Sequence, residues 1–271
     1  MPILDADRLW APRDSFPACI WMHPDGRTLN SIGLTGPGLA ELFTRGLVED
    51  TTGAPYMISF MSVAKTAADR LEECRGYVRM FGEELDLQRS HAQLGQQINI
   101  SCPNTGLHPG ELVSEATAML DILAPLNLPT VVKINIFAPI EEAAKIAAHP
   151  ECDALCFTNA LPFGSLKTID WEEMFPNGSP LKKFGGGGYS GPELLPAVAK
   201  YARQLRKAGV DKPFNVGGGI RSARHIDYLV EKGGLKPGHD SIFFASAAMV
   251  RPWRIRSIIS RAHLLLGESS Y

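Results

Sequence analysis

The sequence predicts an α/β fold, an incomplete (β/α)8 TIM barrel with about six βα units. Three observations predict it. From residue 56 onward, strand-like runs alternate with amphipathic helices, the rhythm of a parallel sheet. The strand-like runs are near-continuously apolar, as expected when both faces of a sheet are covered. The length of 271 residues suits one barrel-sized domain, since such barrels take about 250 residues. Residues 1–271 are therefore read as a single domain, with the first strands of the barrel missing.

Residues 1–29 are rich in Pro, Asp and Arg and read as irregular. A glycine-rich loop over residues 29–38 leads into a short helix at Gly38–Phe43. Tyr56–Phe60 is a strand, and Ala64, Ala67, Leu71, Cys74, Val78 and Phe81 then mark a helix by their steps of three and four. Gln97–Ser101 is the next strand, followed by a helix carrying Leu112 to Leu123. Thr130–Ile136 and Ala154–Thr158 are strands on either side of a helix at Ile140–Ala148. A long polar connection over residues 161–190 is expected to lie over the active-site face, because connections of that length are usually functional. A helix resumes at Glu193, with Pro196 in its first turn, where a missing N–H costs little. Strands at Phe214–Val216 and Ser241–Ala245 and helices from Ser222 and Pro252 complete the chain.

Composition narrows the function. A net charge of −2 gives no basic footprint for nucleic acid. No apolar run reaches the roughly 18 residues of a membrane span. The five cysteines are odd in number and irregularly spaced, which argues against a disulfide framework and for a cytoplasmic setting. The seven histidines form no metal-type pair, so no metal is expected.

Chemistry concentrates at strand ends. Ile98-Asn99-Ile100-Ser101-Cys102-Pro103-Asn104 runs from a strand into a loop, the place where such folds hold reactive groups. Cys102 beside Pro103 reads either as an inert thiol or as a proton acceptor. Asn99, Asn104 and Asn159 could present amides to a heterocycle with C=O and N–H edges. Lys133 lies between Val132 and Ile134, where its charge needs an anion or a polar pocket. Gly217-Gly218-Gly219 follows one strand and Ala245-Ser246 ends the next, a pairing that suggests a phosphate site.

Asn99-Ile100-Ser101-Cys102-Pro103-Asn104 resembles the active-site loop of the soluble, cysteine-base dihydroorotate dehydrogenases. Asn30-Ser31-Ile32-Gly33-Leu34, Val132-Lys133, Thr158-Asn159, Gly187-Gly188-Tyr189-Ser190-Gly191-Pro192, Gly218-Gly219-Ile220 and Ala245-Ser246-Ala247 are similar to that family's substrate and flavin contacts, in the same order. The resemblance implies an FMN-type barrel that oxidises dihydroorotate to orotate in pyrimidine (UMP) biosynthesis. On that reading Cys102 is the base, and hydride passes to flavin N5. It implies FMN contacts at Asn99, Lys133, Thr158, Gly191, Gly218, Gly219, Ala245 and Ser246. It implies substrate contacts at Asn30, Ser31, Ile32, Gly33, Leu34, Asn99, Asn104, Asn159 and Ala160, and a homodimer. The alternatives are a dihydropyrimidine dehydrogenase-like oxidoreductase and a degenerate barrel that serves as an interaction domain.

Overall fold

The computed structural model describes residues 19–33, 38–44, 55–88, 94–100 and 109–267. Six strands form one parallel sheet: β3 (Tyr56–Phe60), β4 (Leu94–Asn99), β5 (Thr130–Lys133), β6 (Ala154–Phe157), β9 (Phe214–Val216) and β10 (Ser241–Ile242). They lie side by side in chain order. Each right-handed crossover therefore steps the same way and keeps its helix on the same face, which is how a barrel is wound. The sheet is a curled half-barrel. Among the described residues no strand joins β10 back to β3.

The covering helices are α2 (Ala67–Gln88), α3 (Pro109–Leu123), α4 (Ile140–Ala148), α6 (Leu194–Lys207), α7 (Arg224–Tyr228) and α9 (Ile255–Leu266). A short α1 (Leu39–Thr44) packs on α2, and α8 (Ser246–Val250) follows β10. The helix expected from Ser222 is split, because the turns at Leu229–Gly233 widen into a π-helix before Gly234 ends it.

Register explains the core. Phe60, Ile98, Val132, Leu155 and Phe214 align across five strands. All are at most 1% exposed, because they face the helices. Cα alternation puts the neighbouring residues on the other face. There Asn99, Lys133, Cys156, Asn215 and Ser241 align in a second row. This corrects the expectation of strands apolar on both faces: the concave face carries a polar row.

The irregular reading of residues 1–29 is also corrected, from residue 20 on. β1 (Ile20–Met22) and β2 (Thr28–Asn30) form a hairpin where an irregular stretch was expected. Within residues 161–190 the chain forms β7 (Leu161–Pro162), α5 (Trp171–Met174) and β8 (Gly188–Ser190). β8 pairs with β2 and β7 to complete a small antiparallel sheet, β1-β2-β8-β7. The long connection is thus an ordered layer. Trp171, Phe163, Phe175 and Tyr189 pack ring against ring in it, with centroids 4.8 to 6.2 Å apart.

Two buried ion pairs brace the frame. Arg206 grips both oxygens of Asp240 at 2.6 and 2.8 Å, and the same carboxylate accepts from the backbone N–H of Phe214 and Lys236. The Arg206 guanidinium also lies 3.6 Å from the Phe214 ring centroid. Arg70 pairs with Glu115 and donates to the carbonyls of Ala64 and Lys65, which fixes the loop after β3.

Candidate functional site

All six parallel strands point their C-terminal ends at one rim, so residues distant in sequence meet there. Asn99 ends β4 and Lys133 ends β5, directly opposite each other. Asn159, two residues past β6, donates from Nδ2 to Asn99 Oδ1 at 3.0 Å. Ala160 follows, half-buried. Lys133 Nζ lies 5.5 Å from the centroid of the Phe243 ring. The same ring covers Gly217 so closely that a Cβ there would fall 2.4 Å from it.

The polar row continues beyond these residues. Cys156 donates to Asn215 Oδ1 at 3.4 Å, and Asn215 donates to Ser241 Oγ at 2.8 Å. Burial pushes the Cys156 thiol up to about 11, against the pull of the nearby Lys133 charge. It is a hydrogen-bond donor at neutral pH, not a thiolate. Ser59 and Gln97 extend the polar surface one layer down, joined at 3.0 Å.

The glycine turn after β9 is shaped first by packing. Gly218 (φ +110°) and Gly219 (φ +74°) adopt left-handed conformations that L side chains rarely accept. A Cβ on Gly219 would sit 2.6 Å from the Leu195 nitrogen and 3.0 Å from the Gly191 carbonyl oxygen. The turn is therefore held against the first turn of α6, which brings Gly191, Gly218 and Gly219 together. Thr158 lies beneath it, 4% exposed, with its hydroxyl accepting from the Ile136 N–H. Ala245, exposed, and Ser246, half-buried, stand at the start of α8.

Asn30 ends β2 on the small sheet, where it pairs with Gly188, and Ser31, Ile32 and Gly33 follow the strand. The Ser31 hydroxyl is buried and has no hydrogen-bond partner among the described residues. Leu34, Cys102 and Asn104 lie outside the described residues.

Sequence reasoning missed Asn215, Phe243 and Cys156. Each had a signal in the period of two: Asn215 separates Phe214 from Val216, and Phe243 and Cys156 alternate with core residues. Among the described residues, no group of three His, Cys, Asp or Glu is placed to hold a metal ion.

No family model matches the chain, and no curated protein matches it. Among solved structures it is similar to the tryptophan synthase α-subunit of the hyperthermophile Pyrococcus furiosus. The identity is 13% over 83% of this chain and 75% of that one, with a TM-score of 0.41. Two mutant forms of the same subunit compare at 16% identity (79% and 66% coverage, TM-score 0.40) and at 14% identity (86% and 75% coverage, TM-score 0.43). At these values the likeness is one of fold and says nothing of chemistry. These findings overturn the dihydroorotate dehydrogenase resemblance. None of the three neighbours belongs to that family, and nothing else found connects the chain to it. Flavin-dependent oxidation of dihydroorotate and the oxidoreductase class are withdrawn with it, and neither alternative is better supported. The physical reason is that strand-end asparagines, lysines and glycine turns serve many ligands on this fold, so a match to them is not a match in function.

Proposed function

We propose that the polar concave face and its C-terminal rim bind a small planar molecule that carries a phosphate group. One observation carries this reading: a lysine, two amides and an aromatic ring converge at the rim. Lys133 stands opposite Asn99 and beside the Phe243 ring, and Asn159 is bonded to Asn99. A flat ligand can stack on Phe243 and present hydrogen-bonding edges to the amides, while Lys133 meets its negative charge. The phosphate is assigned to Gly191, Gly218, Gly219, Ala245 and Ser246, with Asn30, Ser31, Ile32, Gly33 and Ala160 toward the outer edge of the ligand.

FMN is the ligand proposed first, as a bound molecule and without an assigned reaction. The left-handed Gly218 and Gly219, pressed on α6, suit the close backbone approach a phosphate needs. A cytoplasmic setting belongs to the same reading and is supported by the four buried free thiols Cys19, Cys74, Cys152 and Cys156. No helix among the described residues is long and apolar enough to cross a membrane.

The test compares FMN with riboflavin, which lacks the phosphate. Fluorescence titration should show FMN bound about tenfold or more tightly, the equivalent of one charge-assisted contact. Equal affinities would remove the phosphate assignment. Failure of both to bind would remove the ligand.

A further inference from the structure

A second cluster of charge lies where the tip of the β1–β2 hairpin meets the turn after β9. Arg27 takes both carboxylates there, pairing with Asp25 and with Glu193. Glu193 also accepts from the Tyr189 hydroxyl, and His23 Nδ1 lies 2.9 Å from Asp25. Among the described residues, the guanidiniums of Arg221 and Arg251 hydrogen-bond only to backbone carbonyls. Arg221 donates to the Asp25 carbonyl, and Arg251 Nη2 lies 3.4 Å from the carbonyl oxygens of Pro24 and Asp25. The Nε atoms of both arginines are buried and have no hydrogen-bond partner among the described residues.

Two guanidiniums that share one carbonyl repel each other, and each keeps an unmet donor. Three arginines against two carboxylates leave this cluster one positive charge in excess. His225 adds none. Burial lowers its pKa, and the charges of Arg221 and Arg251 lower it further, together outweighing the hydrogen bond to the Gly219 carbonyl 3.0 Å from Nδ1, which raises it. Arg221 is held in place, since a Cβ on Gly26 would fall 2.7 Å from its Cδ.

We propose that Arg221 and Arg251 together form an oxyanion site that takes a phosphoryl group. A phosphate has enough acceptor oxygens to engage both planar forks at once, and its charge cancels their repulsion. Nothing else described at this cluster supplies that combination. The site shares no residue with the polar row, so it stands whether or not that face binds a ligand.

Calorimetric titration of the intact protein with inorganic phosphate, at matched ionic strength, tests the proposal. Arg221→Gln and Arg251→Gln should each weaken phosphate binding about tenfold. Lys145→Gln, which removes a surface charge elsewhere, should leave it unchanged. Arg251 carries the test if Arg221→Gln does not fold, because Arg221 anchors the hairpin. Phosphate held by the arginines should not compete with FMN, whose phosphate is assigned to the glycine turn; competition with FMN together with unchanged affinity in the glutamine variants would overturn the proposal. Wild-type protein that binds no phosphate would overturn the proposal. So would full binding in Arg251→Gln with loss only in Gly218→Ala, which would place the phosphate at the glycine turn and leave the reading of the polar face standing.

Discussion

Lys133 interrupts an apolar strand, and that interruption was visible in the sequence because a buried charge needs a reason. The structure supplies one: the side chain leaves the helix-covered face for the polar row, beside Phe243. Asn99 was visible as an amide at a strand end, while Asn215, between Phe214 and Val216, carried only a weak signal in a strand of three residues. Cys102 and Asn104, on which the discarded resemblance leaned most, lie outside the described residues. The thiol that does stand on the polar face is Cys156, and its chemistry differs from that of an active cysteine. With its pKa at about 11 against an ordinary 9.0, its thiolate is ~100-fold scarcer below pH 9. Alkylation by iodoacetamide at pH 8, followed by mass spectrometry, should therefore label Cys156 at least ~100-fold more slowly than a free thiol. Labelling at the free-thiol rate would show that the row is open and polarised differently. The same shift sets a pH dependence of stability. Cys74 and Cys152 are pushed up to about 12, also by burial. The unfolded chain releases these protons from about pH 9, while the native state retains them. Stability from these groups is complete below that pH and falls as pH rises. The urea midpoint should drop between pH 9 and pH 11, and a flat profile would contradict the burial.

Among the elements, the long helices were legible because their apolar faces repeat over three turns or more. The hairpin β1–β2 was not. Its strands are three residues each, too short for a period, and Pro24, Asp25 and Gly26 between them read as loop. β5 ends at Lys133 rather than Ile136 because Asn135 turns the chain, its carbonyl and side chain accepting from Ala138 and Phe137. The glycine turn depends on α6, so Gly219→Ala should cost more than about 1 kcal/mol by denaturant unfolding, from backbone strain and the clash with Leu195. The Arg206–Asp240 pair sits at the opposite end of the sheet, with the Asp240 side chain fully buried. Asp240→Ala should cost about 3–5 kcal/mol, because it strands a buried guanidinium and two backbone N–H groups. A loss below about 1 kcal/mol would mean that water reaches the pair.

At the scale of the whole molecule, the six-strand count and the parallel winding were both legible, since strand–helix alternation survives even where strands are short. The polarity of the concave face was not, because a two- or three-residue strand shows no alternation until register aligns it with its neighbours. The half-barrel leaves the outer edges of β3 and β10 without a strand partner among the described residues. Unpaired edges favour pairing with another chain, and a homodimer is the proposed outcome. Light scattering should then give twice the 29.5 kDa of the chain, and a monomeric mass at all concentrations would refute it. The central claim, a ligand held by the polar face, is tested most directly by titrating FMN into the wild-type protein and into Lys133→Met, with circular dichroism to establish that both are folded. The account predicts binding by the wild type and affinity about tenfold weaker in the variant. Absence of binding to the wild type, or equal affinity in the two proteins, would contradict it.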